Sequence, residues 1–384
     1  GILAALAILV IGELVTLLTA LSICAISTNT PVRGGGMYFM ISRSLGPEFG
    51  GAIGLALFFA QALSAPFYVI GFTEALVFTF PVLRPWFMYI SLGSAIALFV
   101  ITYIGANYAI KFQYLILAIL TLSILVLLGG AALQMNAETL SANMRLEPTE
   151  PGRYSFWIIF AIYFPATTGI TAGISMSGDL RDPRRALPLG TLAAVGLGTL
   201  VYGLQIFLMG GAYDQQTLVT ESYQILVTRA LFGAGFLVVA GVLAASVSSA
   251  VGSFMGAPRV LQALARDDIL KPTRPFALGT TAGDEPRRAL WFTFALTIAV
   301  LVWAGNNEGG SALNVVAGFV TMFFLYTYGI TNLAAFIESR GANPSFRPKF
   351  RLFHWSVALV GAVACIVTSF LIDKWAALGA IVII

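Results

Sequence analysis

Runs of roughly 20 apolar residues alternate with short polar stretches along the whole chain, the spacing of helices that cross a bilayer. The pattern predicts spans at 1–28, 47–80, 86–103, 112–133, 154–180, 187–211, 230–264, 289–305, 312–338 and 353–372, with an eleventh opening at Trp375. Between them, 31–45 carries three consecutive glycines and two arginines, and predicts a turn followed by a short amphipathic helix at the membrane interface. The stretches 134–153, 212–229 and 265–288 read as polar loops. Period-two segments of about ten residues, the mark of a membrane barrel, are not evident.

One span breaks the pattern. Phe160 to Leu180 (FAIYFPATTGITAGISMSGDL) is apolar, yet its middle holds Pro165, Thr167, Thr168 and Gly169. Pro165 has no N–H and its ring clashes with the carbonyl of Ala161. Unpaired backbone groups cost several kcal/mol in lipid, so a break survives only inside protein or along a wet cavity. The expected form is two half-helices meeting near the midplane. The first would offer carbonyls to a cation, and the second would offer N–H groups from Gly169 onward to an anion. The plainer reading is a proline kink closed by threonine hydroxyls and neighbouring helices.

Composition agrees with a membrane protein: 58% hydrophobic, 10% charged, mean hydropathy +0.89. A net charge of +4 with the basic residues between spans is no signature of nucleic-acid binding. His354 is the single histidine, and Cys24 and Cys365 lie far apart in apolar runs, so neither a zinc site nor a disulfide framework is implied. Without HExxH, GxSxG or paired membrane carboxylates, nothing points to an enzyme or to a cofactor. Sixteen of the 21 Lys and Arg fall in alternate loops, which sets that side as cytoplasmic. The first visible span then runs from outside to inside. Since both ends lie within apolar runs, the expectation is a piece of a longer chain, cut within spans and lacking a first helix.

The layout also predicts an inverted repeat. The five spans of 154–338 begin with the broken helix and have a long third member; 1–133 would match that unit without its first helix. The stretch 134–153 becomes an extracellular loop, and 339–384 holds peripheral, truncated spans.

At this point the residues resemble a family. The segments AISTNTPVRGGGMYFMISRSLGPEFGGAIGL (25–55), PFYVIGFTEAL (66–76), FPATTGITAGISMSGDLRDP (164–183) and SSAVGSFMGAPRVLQALARDDIL (248–270) look, in order, like those of cation–chloride cotransporters, sodium-coupled branch. That family lies in the amino acid–polyamine–organocation superfamily. The resemblance implies an all-α multi-pass membrane protein with a five-plus-five inverted-repeat transporter fold, discontinuous around Pro165–Gly169. It implies a plasma-membrane symporter of Cl⁻ with Na⁺ and/or K⁺, electroneutral, with the lipid bilayer and inorganic ions as partners and a homodimeric assembly in many members.

The same resemblance carries site residues. Potassium would be held by Tyr68, the Pro165 carbonyl and Thr168; K⁺ needs oxygen dipoles in place of its water. Chloride would sit on the backbone of Gly169, Ile170 and Thr171 and on Tyr328. Sodium would take the Ala245 carbonyl and the hydroxyls of Ser248 and Ser249, which share a helix face. Against these stand simple packing of Tyr68 and Tyr328, and close helix packing by the small residues of AASVSSAVGS. Glu74 fits an extracellular gate. Asp179, Arg181 and Asp182 fit caps at the end of the broken helix, and ARDDILKPTRP fits a solvated loop. Glu13, deep in the first span, departs from the family pattern and has no assigned role. An amino acid or polyamine carrier is the alternative function.

Overall fold

The computed structural model describes residues 1–29, 35–104, 106–146, 154–175, 180, 182–281, 283–306, 311–341, 346–375 and 377–378. Its helices are α1 (Ile2–Asn29), α2 (Gly36–Ser44), α3 (Pro47–Thr79), α4 (Phe87–Ile104), α5 (Ala106–Gln134), α6 (Ala137–Asn143), α7 (Phe156–Tyr163), α8 (Ile170–Ser175), α9 (Pro183–Ala212), α10 (Gln215–Thr220), α11 (Ser222–Thr228), α12 (Gly235–Arg266), α13 (Arg287–Asn306), α14 (Ser311–Arg340) and α15 (Trp355–Ile372). Among the described residues, nine helices are long and apolar enough to cross a membrane. Large apolar side chains face outward, such as Val10, Leu14 and Leu17 on α1 and Leu197, Leu200 and Leu204 on α9. In water such a surface would be unfavourable; against lipid tails it is the expected one.

The packing has a hidden symmetry. Exchanging α1 with α9, α3 with α12, α4 with α13 and α5 with α14 maps the main contacts onto each other: α3–α14 onto α12–α5, α1–α14 onto α9–α5, and α3–α13 onto α12–α4. Exchanged partners also touch directly in the pairs α1–α9, α3–α12 and α4–α13. Since α1 runs toward the end of the bundle from which α9 starts, the relation is an inverted one, and the fold is an inverted-repeat transporter fold. Long spans at 47–80 and 230–264 were expected from the sequence, and α3 and α12 form the central crossing.

Two loop expectations are refined. The stretch 134–153 contains α6, whose Asn143 amide donates to the Gly210 carbonyl at 2.7 Å and to the Tyr213 carbonyl at 2.8 Å, tying it to the end of α9. The stretch 212–229 contains α10, capped by Asp214, and α11.

The connector 31–45 differs more. Helix α2 is no surface helix: Met37, Tyr38, Met40 and Ile41 are each at most 1% exposed. It lies between α3, α8, α12 and α14. Gly35 makes the entry: its φ is +102°, and a Cβ there would drive into Ala263. Tyr38 donates to Asp267 at 2.6 Å and Arg43 pairs with the same carboxylate at 2.8 Å, which joins α2 to the end of α12. The run ARDDILKPTRP, 265–275, carries further exposed ion pairs, Arg274 with Asp268 and Arg266 with Asp284.

Candidate ion site at the broken helix

The span 154–180 does break. Ser155 caps α7 by accepting from the Ile158 N–H. The chain then tightens into a 3₁₀ turn over Phe164–Thr167, and α8 starts at Ile170. Pro165 explains the change of helix type, since no N–H is available there to continue the α ladder.

The freed carbonyls are taken up one by one. Within the turn, Thr167 donates to the Phe164 carbonyl at 2.9 Å and Thr168 to the Pro165 carbonyl at 2.8 Å. From other helices, Thr321 donates to Ala161 at 2.6 Å, Tyr202 to Ala166 at 3.2 Å, and Tyr328 to Thr168 at 3.0 Å. Thr16 on α1 hydrogen-bonds the Thr167 hydroxyl at 3.1 Å. Both readings of this stretch are thus partly realised: the helix is interrupted, and hydroxyls close the interruption. The buried ones replace water in a dry interior, where an orphaned carbonyl costs about 1–3 kcal/mol, while the Tyr202–Ala166 bond is exposed.

One face of the break opens on a cavity of about 290 Å³. It is lined by Tyr68, Thr168, Gly169, Thr171, Ser248 and Ser249, so residues named for three different ions share one space. The lining does not include Pro165, Ile170, Tyr328, Ala245 or Glu74. Tyr328 is fully buried behind the break and holds it through Thr168; its ring also sits edge-on to Phe164 at 6.2 Å. The Pro165 carbonyl accepts from both the hydroxyl of Thr168 at 2.8 Å and its backbone N–H at 3.3 Å, so both of its lone pairs are engaged. Asp182 precedes α9, where its carbonyl rather than its side chain takes the first helical bonds. Asp179 and Arg181 lie outside the described residues.

The serine stripe of α12 divides its labour. Ser246 and Ser253 bond back to their own helix, at Val242 and Ser249. Gly241 packs so closely on Ser123 of α5, and Gly256 on Gln61 of α3, that a side chain at either would collide. Ser248 does neither: its hydroxyl donates to the Gln113 Oε1 of α5, and its carbonyl accepts from Gln113 Nε2.

Gln113, Gln61 and Ser64 line the cavity but were not singled out from the sequence. The signal was there. Gln61, Ser64 and Tyr68 stand at i, i+3 and i+7, one polar face on an otherwise apolar span, and Gln113 is an amide inside a membrane run. What the arrangement offers is oxygen: hydroxyls, amides, a phenol and backbone groups, with no charged side chain on the lining. Among the described residues, no group of three or more His, Cys, Asp or Glu is placed to hold a metal ion. Such a site suits weakly held, dehydrated monovalent ions.

Comparison with known proteins agrees with this picture. A family model described as amino acid permease matches residues 1–384. Solute carrier family 12 member 1 of Mus musculus is 34% identical over 421 aligned residues, covering 96% of this chain and 38% of the relative. Solute carrier family 12 member 2 of Squalus acanthias is 35% identical over 426 residues, covering 97% and 35%. Solute carrier family 12 member 9 of Danio rerio is 34% identical over 418 residues, covering 97% and 45%. The chain thus spans 35–45% of the length of these relatives. Near-equal identity to three members does not single out one of them.

Proposed function

Because this chain belongs to the amino acid permease family along its whole length, we propose that it forms the transport core of a secondary active symporter that moves Cl⁻ with Na⁺ and/or K⁺. Transport is by alternating access, electroneutral, and without covalent chemistry or cofactor. The observation that carries this reading is the shared cavity at the break, where Tyr68, Thr168, Gly169, Thr171, Ser248 and Ser249 converge. Likeness to solute carrier family 12, the cation–chloride cotransporters, points to the same cargo.

In this reading the two repeats are 1–133 and 154–338, and 339–384 is peripheral. K⁺ is held by Tyr68, Thr168 and the Pro165 carbonyl, once the Thr168 hydroxyl turns from that carbonyl to the ion. Cl⁻ lies against the N–H groups of Gly169, Ile170 and Thr171, with Tyr328 steadying that backbone. Na⁺ takes the Ala245 carbonyl, Ser248 and Ser249. Opposite charges entering one low-dielectric cavity lower each other's desolvation cost. Glu74 gates the outer end, the basic loops face the cytoplasm of a plasma-membrane protein, and copies pair as homodimers.

The test is uptake of radioactive rubidium by liposomes holding the purified protein, with Na⁺ and Cl⁻ removed one at a time. Loss of uptake on removing either ion, and again in Ser249→Ala, supports sodium-coupled symport. Uptake that needs Cl⁻ but not Na⁺ removes sodium from the reading. The matched family's own description favours one second reading, an amino acid or polyamine carrier. Folded protein with no ion-dependent rubidium uptake, but with amino acid uptake, would establish that instead.

A further inference from the structure

Behind the broken helix, away from the ion cavity, lies a buried carboxyl that transport through that cavity does not use. Glu13 is in the body of α1, roughly 16 Å along the axis from Ile2 at 1.5 Å per residue. It is 8% exposed, while Val10, Leu14 and Leu17 on the same helix turn outward. Its neighbour Gly12 faces Tyr163, Thr167 and Phe160 at van der Waals distance, so α1 lies directly on the break at this level. One turn on, Thr16 bonds Thr167.

The surroundings of Glu13 are polar but hold no cation. Thr199 of α9 lies beside its carboxyl, with its own hydroxyl proton given to the Val195 carbonyl at 2.8 Å. Taking each helix that packs on α1, the titratable groups in electrostatic reach are Tyr163 of α7, Tyr202 of α9 and Tyr328 of α14. The Tyr38 and Arg43 side chains of α2 are committed to Asp267, and Cys365 of α15 faces Tyr328. Among the described residues, no Lys or Arg pairs with Glu13. The Tyr163 hydroxyl, also buried, has no hydrogen-bond partner among the described residues.

An unpaired carboxylate in such a place is costly, and the smallest cation that neutralises it, the proton, requires no cavity. We propose that Glu13 is a proton-binding site whose occupancy controls the broken helix. The link is Tyr202. Its hydroxyl donates to the Ala166 carbonyl in the 3₁₀ turn, and it lies in reach of Glu13. When Glu13 is neutral, the phenol stays on Ala166 and the turn is closed. When Glu13 loses its proton, the anion competes for the same O–H and repels the carbonyl end of α7, freeing the Ala166 carbonyl. The proton is exchanged with solvent, and nothing else changes covalently.

The inference adds a proton to the proposed symport and is tested so that the two can fail separately. Infrared difference spectra of the purified protein across a pH titration report protonated carboxyl groups without any transport. A protonated-acid carbonyl band that is absent in Glu13→Gln and retained in Glu13→Asp is the expected result. In liposomes, wild-type rubidium uptake should fall by about tenfold from about pH 6 to about pH 9, and by less than about twofold in Glu13→Gln, which mimics the neutral form. Absence of any band sensitive to Glu13 in folded protein overturns the proposal. A band accompanied by uptake with a flat pH profile overturns control of the helix. A band without any uptake upholds the proton site and overturns the symport reading instead.

Discussion

The phenol of Tyr328 donates to the main-chain carbonyl of Thr168 at 3.0 Å, joining two residues 160 positions apart in the sequence. Thr168 also lines the cavity at the break, so one bond ties the backbone of the break to α14. Tyr328→Phe removes only the donor. The Thr168 carbonyl retains a longer bond from Thr171 at 3.4 Å, so the stability loss should sit near 1 kcal/mol, the low end for an orphaned buried carbonyl. Transport should suffer more, with a higher half-saturating Cl⁻ concentration. Thermal unfolding in detergent and the Cl⁻ dependence of uptake check the two effects. An unchanged Cl⁻ dependence would argue against a role for Tyr328 at the anion.

Gln113 and Ser248 act as a pair, because each group of one meets a group of the other. Ser248→Ala and Gln113→Ala should therefore be non-additive, with a coupling of about 1 kcal/mol in the double-mutant cycle. Read on the Na⁺ dependence of uptake, the same cycle separates a sodium site from simple packing. Coupling in stability alone would leave Gln113 and Ser248 as a helix–helix contact.

Gly35→Ala should destabilise by more than about 1 kcal/mol. The residue has φ +102°, and its new methyl would meet Ala263. Gly93 is the control: nothing lies within 4 Å of a Cβ built there. Melting temperatures of the two alanine variants, measured side by side, decide the matter, and equal values would contradict the geometry.

Acid should loosen the contact between Arg266 and Asp284 slightly. Hydrogen bonding to Arg266 holds the Asp284 carboxyl below the usual carboxylate range. A depressed carboxylate contributes stability that is fully present above its unfolded value, about 3.9, and is lost as pH falls through the lower folded value. Both partners are largely exposed, so the contribution is under about 1 kcal/mol and weakens in salt. Limited proteolysis between Arg266 and Asp284 below about pH 4 should be faster than at neutral pH, and Asp284→Asn should remove that difference.

The sequence by itself determined the membrane class, the order of the spans and the location of the break. Hydrophobic length is a local property, and proline lacks an N–H wherever it stands. Gly35 and Gly36, both at positive φ, were legible as turn residues because glycine lacks a Cβ. Resemblance named Tyr68, Thr168, Gly169, Thr171, Ser248 and Ser249, and their meeting in one cavity was a matter for the fold.

Only the tertiary structure decided how the break is held and what surrounds it. Donors to its carbonyls come from Tyr202, Thr321 and Tyr328, on spans far along the chain, and no periodicity forecasts which hydroxyl reaches which carbonyl. The burial of α2 was hidden because its residues alternate as an interfacial helix would, while its neighbours α3, α8, α12 and α14 arrive from elsewhere. Gln113 reads as one amide in a greasy run until α5 crosses α12 and sets it on Ser248. Glu13 was conspicuous in the sequence as a charge in lipid, but its setting among Thr199, Tyr163 and Tyr202 required α1, α7 and α9 to pack, because a side chain's environment is made by helices that the chain brings together over long separations.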